Sequence, residues 1–211
     1  DLGYTDISAN VVFEDVWSPG DEQIFYDQLI ELADAIIDGD YYASHACTLF
    51  SEQIGYPLAD SDTNNWCGGN CKMLAIGTDG TLYPCVRFAP YSLDPDVPPL
   101  RLGDIYNGYT ELHSPEICEL CSVTRQSQST EECLNCQVAA GCAWCTAYHY
   151  ELFGTPNRRA TYICKMHLAR VAANIYYWSK LYKKLGIDKD VLCHLTNEQI
   201  AMVTRNRDII Y

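Results

Sequence analysis

Twelve cysteines in 211 residues are the side chains of this chain best able to do chemistry. They stand at Cys47, Cys67, Cys71, Cys85, Cys118, Cys121, Cys133, Cys136, Cys142, Cys145, Cys164 and Cys193. Three Cys-x2-Cys pairs stand out: Cys118 with Cys121, Cys133 with Cys136, and Cys142 with Cys145. A pair at that spacing presents two thiolates to one metal centre, or makes a redox dithiol. Disulfide scaffolds are usually shorter chains without long helical patterns. The order of readings is therefore metal or cluster, then redox dithiol, then disulfides.

The densest run is Cys133-x2-Cys136-x5-Cys142-x2-Cys145, followed after a gap by Cys164. A cubane iron–sulfur cluster takes four thiolates, so five cysteines exceed one cluster. Upstream, Cys67-x3-Cys71 is followed by Cys85, which leaves three ligands short of a fourth. These eight cysteines divide into two complete sets. Zinc is the competing occupant. It takes four thiolates from two close pairs, and Cys118-x2-Cys121-x11-Cys133-x2-Cys136 has that form. Cys118 and Cys121 otherwise remain a structural pair, a redox pair or an open-site ligand. Cys47 and Cys193 read as plain buried thiols. His167, three residues after Cys164, could sit near a cluster, although a satisfied core or surface histidine is the commoner outcome. The other histidines lack a partner at metal spacing. Arg87 and Arg125 could tune a cluster or bind a peptide carboxylate, with solvated arginines as the plainer reading.

The elements that must position these thiols are partly legible. Residues 6–14 read as a strand. A helix is expected from Ser18-Pro19-Gly20-Asp21, with Ser18 as cap, Pro19 at the first helical position and an acidic first turn. Its apolar stripe would be Ile24, Phe25, Leu29, Leu32, Ile36 and Ile37, and Gly39 would end it. Strand then amphipathic helix is one unit of an α/β fold. Residues 57–66 read as a linker. Two short apolar runs, Met73–Ile76 and Thr81–Tyr83, flank Gly77-Thr78-Asp79-Gly80. Asp-Gly between such runs is a hairpin signal, because glycine accepts positive φ. Residues 90–100 carry four prolines and form a loop, and 133–145 is too dense in cysteine for regular structure. A long helix is expected from about Ala160 to Leu185, with Leu168, Val171, Ile175, Trp178, Tyr182 and Leu185 along one face and Gly186 at its end. Thr196 with Gln199 would cap a last helix to Arg205.

The formal net charge is −14. A nucleic-acid surface is unexpected, because affinity for phosphate comes mainly from Lys and Arg. No apolar run is long enough to span a bilayer, so no membrane partner is expected. The first residue is Asp1, which reads as an internal position of a longer protein, or as the product of leader processing.

The order of these cysteines resembles that of SPASM domains, the auxiliary-cluster domains of radical S-adenosylmethionine (SAM) enzymes. In that order a cysteine is followed by Gly-x4-Cys on a hairpin, a clustered Cys run, a nearby Cys and a distant one. Here the hairpin part is Cys71-Lys-Met-Leu-Ala-Ile-Gly-Thr-Asp-Gly80-Thr-Leu-Tyr-Pro-Cys85, and Leu102-Gly103-Asp104-Ile105 resembles the Gly-Asn-Ile step that follows the loop. The resemblance covers residues 64 to 185. Within the family, Asn65-Trp66-Cys67-Gly68-Gly69 and Gly141-Cys142-Ala143-Trp144-Cys145 are most similar to maturases of ribosomally synthesised peptides. Two departures stand out. Only Ala143 and Trp144 separate Cys142 from Cys145, where the family has three residues. Val86 stands where sulfatase maturases carry an Asp base after the hairpin cysteine.

The resemblance implies an α+β chain in three parts: a strand–helix remnant of a (β/α) TIM-type barrel over 1–58, a SPASM domain with a small hairpin, cluster-binding loops and a long helix over 59–186, and a helical tail over 187–211. It implies an interleaved ligand assignment. The first [4Fe-4S] cluster would take Cys67, Cys71, Cys85 and Cys145, and the second would take Cys133, Cys136, Cys142 and Cys164, with zinc as a possible replacement. The implied function is electron transfer and substrate positioning during radical post-translational modification of a precursor peptide, forming a thioether or carbon–carbon crosslink. The implied partners are that peptide and the radical SAM barrel, and the implied setting is the cytoplasm of an anaerobic bacterium. The catalytic cluster's Cys-x3-Cys-x2-Cys is lacking, since the third position after Cys67 and Cys71 is Leu74. SAM and a third cluster are expected only in the full-length enzyme, so this chain alone is not expected to be catalytic. The alternatives are a zinc-stabilised peptide-binding module and a stand-alone ferredoxin-like electron carrier.

Overall fold

The computed structural model describes residues 3–62 and 67–204. In chain order the elements are β1 (Asp6–Ile7), α1 (Asp21–Asp38), β2 (Ala46–Cys47), β3 (Ala75–Ile76), β4 (Thr81–Tyr83), β5 (Gly103–Asp104), α2 (Pro115–Ser122), α3 (Arg125–Gln128), α4 (Glu131–Leu134), α5 (Thr146–Phe153), α6 (Cys164–Leu185) and α7 (Asn197–Thr204). Short 3-10 turns occupy Tyr41–Ala43 and Val86–Phe88. The fold is α+β. Two compact units share the chain. One holds Asp1–Leu58, Cys136–Cys142 and Tyr162–Tyr211, and the other holds Ala59–Asn135 and Ala143–Thr161.

The first unit is built on α1 and α6. Their ion pairs show that the helices run in parallel: Glu22 meets Lys165 near one end and Asp40 meets Lys184 near the other. Between them, Asp34 accepts from the Tyr176 hydroxyl at 2.6 Å and from Lys180 at 2.8 Å. Alanines make the close packing possible, because Ala33, Ala169, Ala172 and Ala173 are fully buried. Leu29, Ile37, Val171 and Ile175 complete the same core. The buried stripe of α1 runs through Tyr26, Leu29, Ala33 and Ile37. It is rotated from the expected face, and Ile24 lies outside it at 55% exposed. On α6, Val171, Ile175 and Tyr182 are buried as expected, while Leu185 is exposed.

The strand expected over 6–14 shortens to Asp6–Ile7, which pairs in parallel with Ala46–Cys47 across α1. Pairing limits it, since the partner β2 is itself two residues long. The start of α1 also differs. The helix begins at Asp21, with Gly20 before it at φ +100, and the Ser18 N–H donates to the Asp21 carboxylate. Ser18 and Pro19 therefore stand outside the helix. The long helix begins at Cys164 rather than near Ala160. At its far end, Gly186 takes the left-handed conformation expected of a terminating glycine. The cap of α7 is the expected reciprocal pair: the Thr196 N–H donates to Gln199 Oε1 and the Gln199 N–H donates to Thr196 Oγ1. Arg205 lies outside the described residues.

The second unit carries the hairpin. Strands β3, β4 and β5 form an antiparallel sheet in that order, with Ala75 opposite Tyr83 and Leu82 opposite Gly103. The Gly77–Gly80 turn is closed by the Gly80 N–H on the Gly77 carbonyl. Gly80 sits at φ +83, which is why a glycine ends the turn. Asp79 braces the turn by accepting from the Thr81 N–H and hydroxyl. Leu82, Phe88, Leu100, Leu102, Ile117, Leu120, Ala147 and Tyr150 form this unit's core. Short helices occupy part of the cysteine-dense stretch and its approach. Thr124 and Thr130 cap α3 and α4, and α4 carries Cys133. Local capping thus makes one helical turn where none was expected. Among the described residues, no helix is long and apolar enough to cross a membrane.

Candidate metal centre

The four cysteines of the first set all belong to the second unit. Three different elements supply them. Cys67 and Cys71 sit on a tight loop in which the Lys72 N–H donates to the Gly68 carbonyl. Cys85 follows β4 and opens the Val86–Phe88 turn. Cys145 immediately precedes α5. Cys71, Cys85 and Cys145 pack against the same apolar core.

Gly69 marks the space between two of these thiols. A Cβ there would lie 3.2 Å from Cys67 Sγ, 4.0 Å from Cys85 Sγ and 3.0 Å from Thr146 Oγ1. The Gly69 N–H donates to Cys67 Sγ at 3.3 Å. Burial raises the thiol pKa of Cys85, and the neighbouring Cys145 and Cys67 raise it further. The backbone N–H groups of Arg87 and Phe88 oppose this by favouring the thiolate. Burial likewise raises the Cys145 thiol pKa, against the N–H groups of Tyr148 and Ala147 and the Arg87 guanidinium. Arg87 thus faces the candidate centre as a cation. Each buried sulfur is met by backbone donors that a thiolate or a metal-bound sulfur would use.

The fourth member is committed elsewhere. Cys71 is joined to Cys121 of α2 in a disulfide. In that state it offers no thiolate, so the set fits a four-thiolate group only when this bond is open. Among the described residues, no group of three or more His, Cys, Asp or Glu side chains converges tightly enough to hold a single metal ion. A cluster takes one thiolate per iron, so its ligands stand farther apart than those sharing one ion. Asn65 and Trp66, which precede Cys67, lie outside the described residues.

The second set divides between the units. Cys133 belongs to the second unit, while Cys136, Cys142 and Cys164 belong to the first. Within the first unit, Cys136 packs against the core and Cys164 begins α6 in an exposed position. Arg170 neighbours Cys142 and Cys47. It also anchors that region by donating to the carbonyls of Leu49 at 3.1 Å and Gly141 at 3.4 Å. In the four-cysteine zinc arrangement, Cys118 and Cys121 lie on α2 with the Cys121 sulfur bonded to Cys71, and Cys136 belongs to the other unit.

His167 is a satisfied core histidine, held by the Val138 carbonyl at 2.6 Å. Arg125 differs from the plain expectation of a solvated arginine. It is 2% exposed and donates to the carbonyls of Ala59 and Leu134. Sequence reasoning also passed over His149, buried on α5 with Nδ1 3.2 Å from Gln128 Oε1. No spacing signal marks it, since its partner is 21 residues away.

Compared with models of known protein families, with curated proteins and with solved structures, the chain matches none.

Proposed function

We propose that this chain is an auxiliary-cluster domain of the SPASM type, part of a radical SAM enzyme that modifies a precursor peptide. Its work is to hold two [4Fe-4S] clusters for electron transfer and to position the peptide beside the radical chemistry. The observation that carries this reading is the gathering of Cys67, Cys85 and Cys145. Residues from a loop, a hairpin end and a helix start bring sulfurs together across 78 positions of sequence, with Cys85 and Cys145 against an apolar core. Plain buried thiols have no need of such convergence, or of backbone N–H groups aimed at them.

The first cluster would be held by Cys67, Cys85 and Cys145, joined by Cys71 once its disulfide opens. For the second set, Cys133, Cys136, Cys142 and Cys164, the order of the cysteines along the chain is the whole support. Such clusters supply one-electron transfer, with a potential set by burial and by hydrogen bonds to sulfur. At the first set, the chain contributes donors from the Arg87, Phe88, Ala147 and Tyr148 backbone, and the positive charge of Arg87. Donors and positive charge favour the reduced, more negative state, so their removal is expected to lower the potential. The peptide, the rest of the enzyme and an anaerobic setting belong to the same proposal.

The test is metal analysis of the anaerobically prepared chain with its disulfide reduced. Iron, zinc, acid-labile sulfide and the ultraviolet–visible spectrum are measured together. About eight iron and eight sulfide per chain are expected, with a broad absorption typical of cubane clusters. About one or two zinc without sulfide, after anaerobic reconstitution as before it, would leave a structural zinc module instead.

A further inference from the structure

Cys121 has two cysteine neighbours. One is Cys71, to which it is joined, with the Cα atoms 5.2 Å apart. The other is Cys118, three residues earlier on α2. Helix geometry sets Cα atoms three residues apart at about 5 Å, inside the roughly 4.4–6.8 Å that a disulfide spans; the Cβ atoms stand about 5–6 Å apart against about 3.5–4.5 Å in a disulfide, so the bond needs α2 to loosen at Cys118. Cys118 and Cys121 are both exposed, so the pair is open to reaction. The Cys118 sulfur rests 3.7 Å from the Leu112 carbonyl, a long and exposed contact. Cys71 has a further property. Its backbone lies at φ +69, a left-handed conformation that residues with a side chain rarely adopt. The crosslink to α2 ties this loop to the helix.

We infer that Cys118, Cys121 and Cys71 form a thiol–disulfide exchange centre in which Cys118 releases Cys71 from its disulfide. Cys118 loses its proton to solvent, and its thiolate attacks Cys121 Sγ. The Cys118–Cys121 bond forms as the Cys71–Cys121 bond breaks, and the bonding pair leaves on Cys71 as a thiolate. One disulfide replaces another, so no outside oxidant or reductant enters the step. The consequence for metal loading rests on the proposed function: Cys71 is the fourth cysteine of the first set, so the exchange gates completion of that set. The exchange itself does not depend on metal.

The test uses the full chain, stripped of metal and oxidised by diamide until one disulfide forms. Samples held at about pH 8, where ordinary thiols are partly ionised, are quenched in acid. Remaining thiols are alkylated and the crosslinks are mapped by mass spectrometry. The parent chain is expected to divide between a Cys71–Cys121 form and a Cys118–Cys121 form, with Cys71 alkylated only in the second. Cys118→Ser, or Cys118→Ala should the first variant misfold, is expected to hold Cys71–Cys121 alone. A parent chain that shows Cys71–Cys121 alone, with Cys118 fully alkylated, overturns the inference. So does the absence of both crosslinks after oxidation.

A second arm measures iron uptake during anaerobic reconstitution without added dithiol. The parent is expected to fill the first set several-fold faster than Cys118→Ser, and prior reduction with a dithiol should erase the difference. Equal rates without dithiol, beside a positive crosslink map, refute the gate. If neither protein takes up iron even after reduction, the cluster reading fails while the crosslink map still decides the exchange.

Discussion

His149 gives the second unit a pH dependence that can be worked from its surroundings. The side chain is 2% exposed. Its neutral ring donates from Nδ1 to Gln128 Oε1, and the Arg159 cation lies nearby. Burial, aided by Arg159, disfavours a second proton and lowers the pKa from 6.5 to about 4. The sign follows from linkage. Above pH 6.5 both folded and unfolded chains carry a neutral ring. As pH falls below 6.5 the unfolded chain binds a proton that the folded chain refuses, so stability is lost until the folded group titrates near 4. The loss amounts to about 2 kcal/mol by pH 5 and about 3 kcal/mol below pH 4. The assay is urea unfolding of the reduced, metal-free chain between pH 7 and pH 4.5, followed by tryptophan fluorescence, since Trp144 is buried in the same unit beneath Arg159. His149→Gln lowers stability throughout through altered packing, but it should remove this part of the slope. The chain's many carboxylates titrate in both proteins and cancel in the difference. Parent and variant losing stability in parallel from pH 7 to pH 5 would refute a neutral buried histidine at this position.

Two further perturbations probe the frame around the candidate centre. Gly103 lies at φ +143, and a Cβ there would fall 1.9 Å from the Gly108 carbonyl oxygen and 2.8 Å from the Thr110 nitrogen. Gly103→Ala should therefore cost about 3 kcal/mol or more in chemical denaturation by expelling β5 from the sheet. Gly69→Val places methyl groups against Cys67 and Cys85, so it should reduce iron taken up by the first set. It should leave the Cys71–Cys121 disulfide in place, and unchanged iron content in this variant would count against a shared centre at these two thiols.

The α+β class, the hairpin at 75–83, the end of α6 at Gly186 and the reciprocal cap of α7 were legible in the amino-acid order. Each depends on neighbours within a few positions: Gly80 meets a positive φ, and Thr196 and Gln199 satisfy each other's backbone donors. The strand expected over 6–14 is confined to Asp6–Ile7. A β-strand's length is set by its partner, and Ala46–Cys47 offers two residues. The buried face of α1 departs from the expected stripe for a related reason. Apolar spacing permitted a stripe through Ile24, but the alanines of α6 select Tyr26, Leu29, Ala33 and Ile37, because small side chains determine where two helices approach most closely.

For the cysteines, the order along the chain is a property of the sequence by itself, and it carries the resemblance that motivates the cluster assignment. Spacing alone also marked Cys118 and Cys121 as a pair. It could not show that the Cys121 sulfur reaches across 50 residues to Cys71, since that contact exists only where the loop at 67–72 meets α2. Nor could it show Arg125 buried against two carbonyls, or His149 stripped of water. Local signals record what the backbone needs within a turn or two. The state of a thiol, a guanidinium or an imidazole depends on the solvent and partners that distant segments remove or supply, and only the tertiary structure decides those.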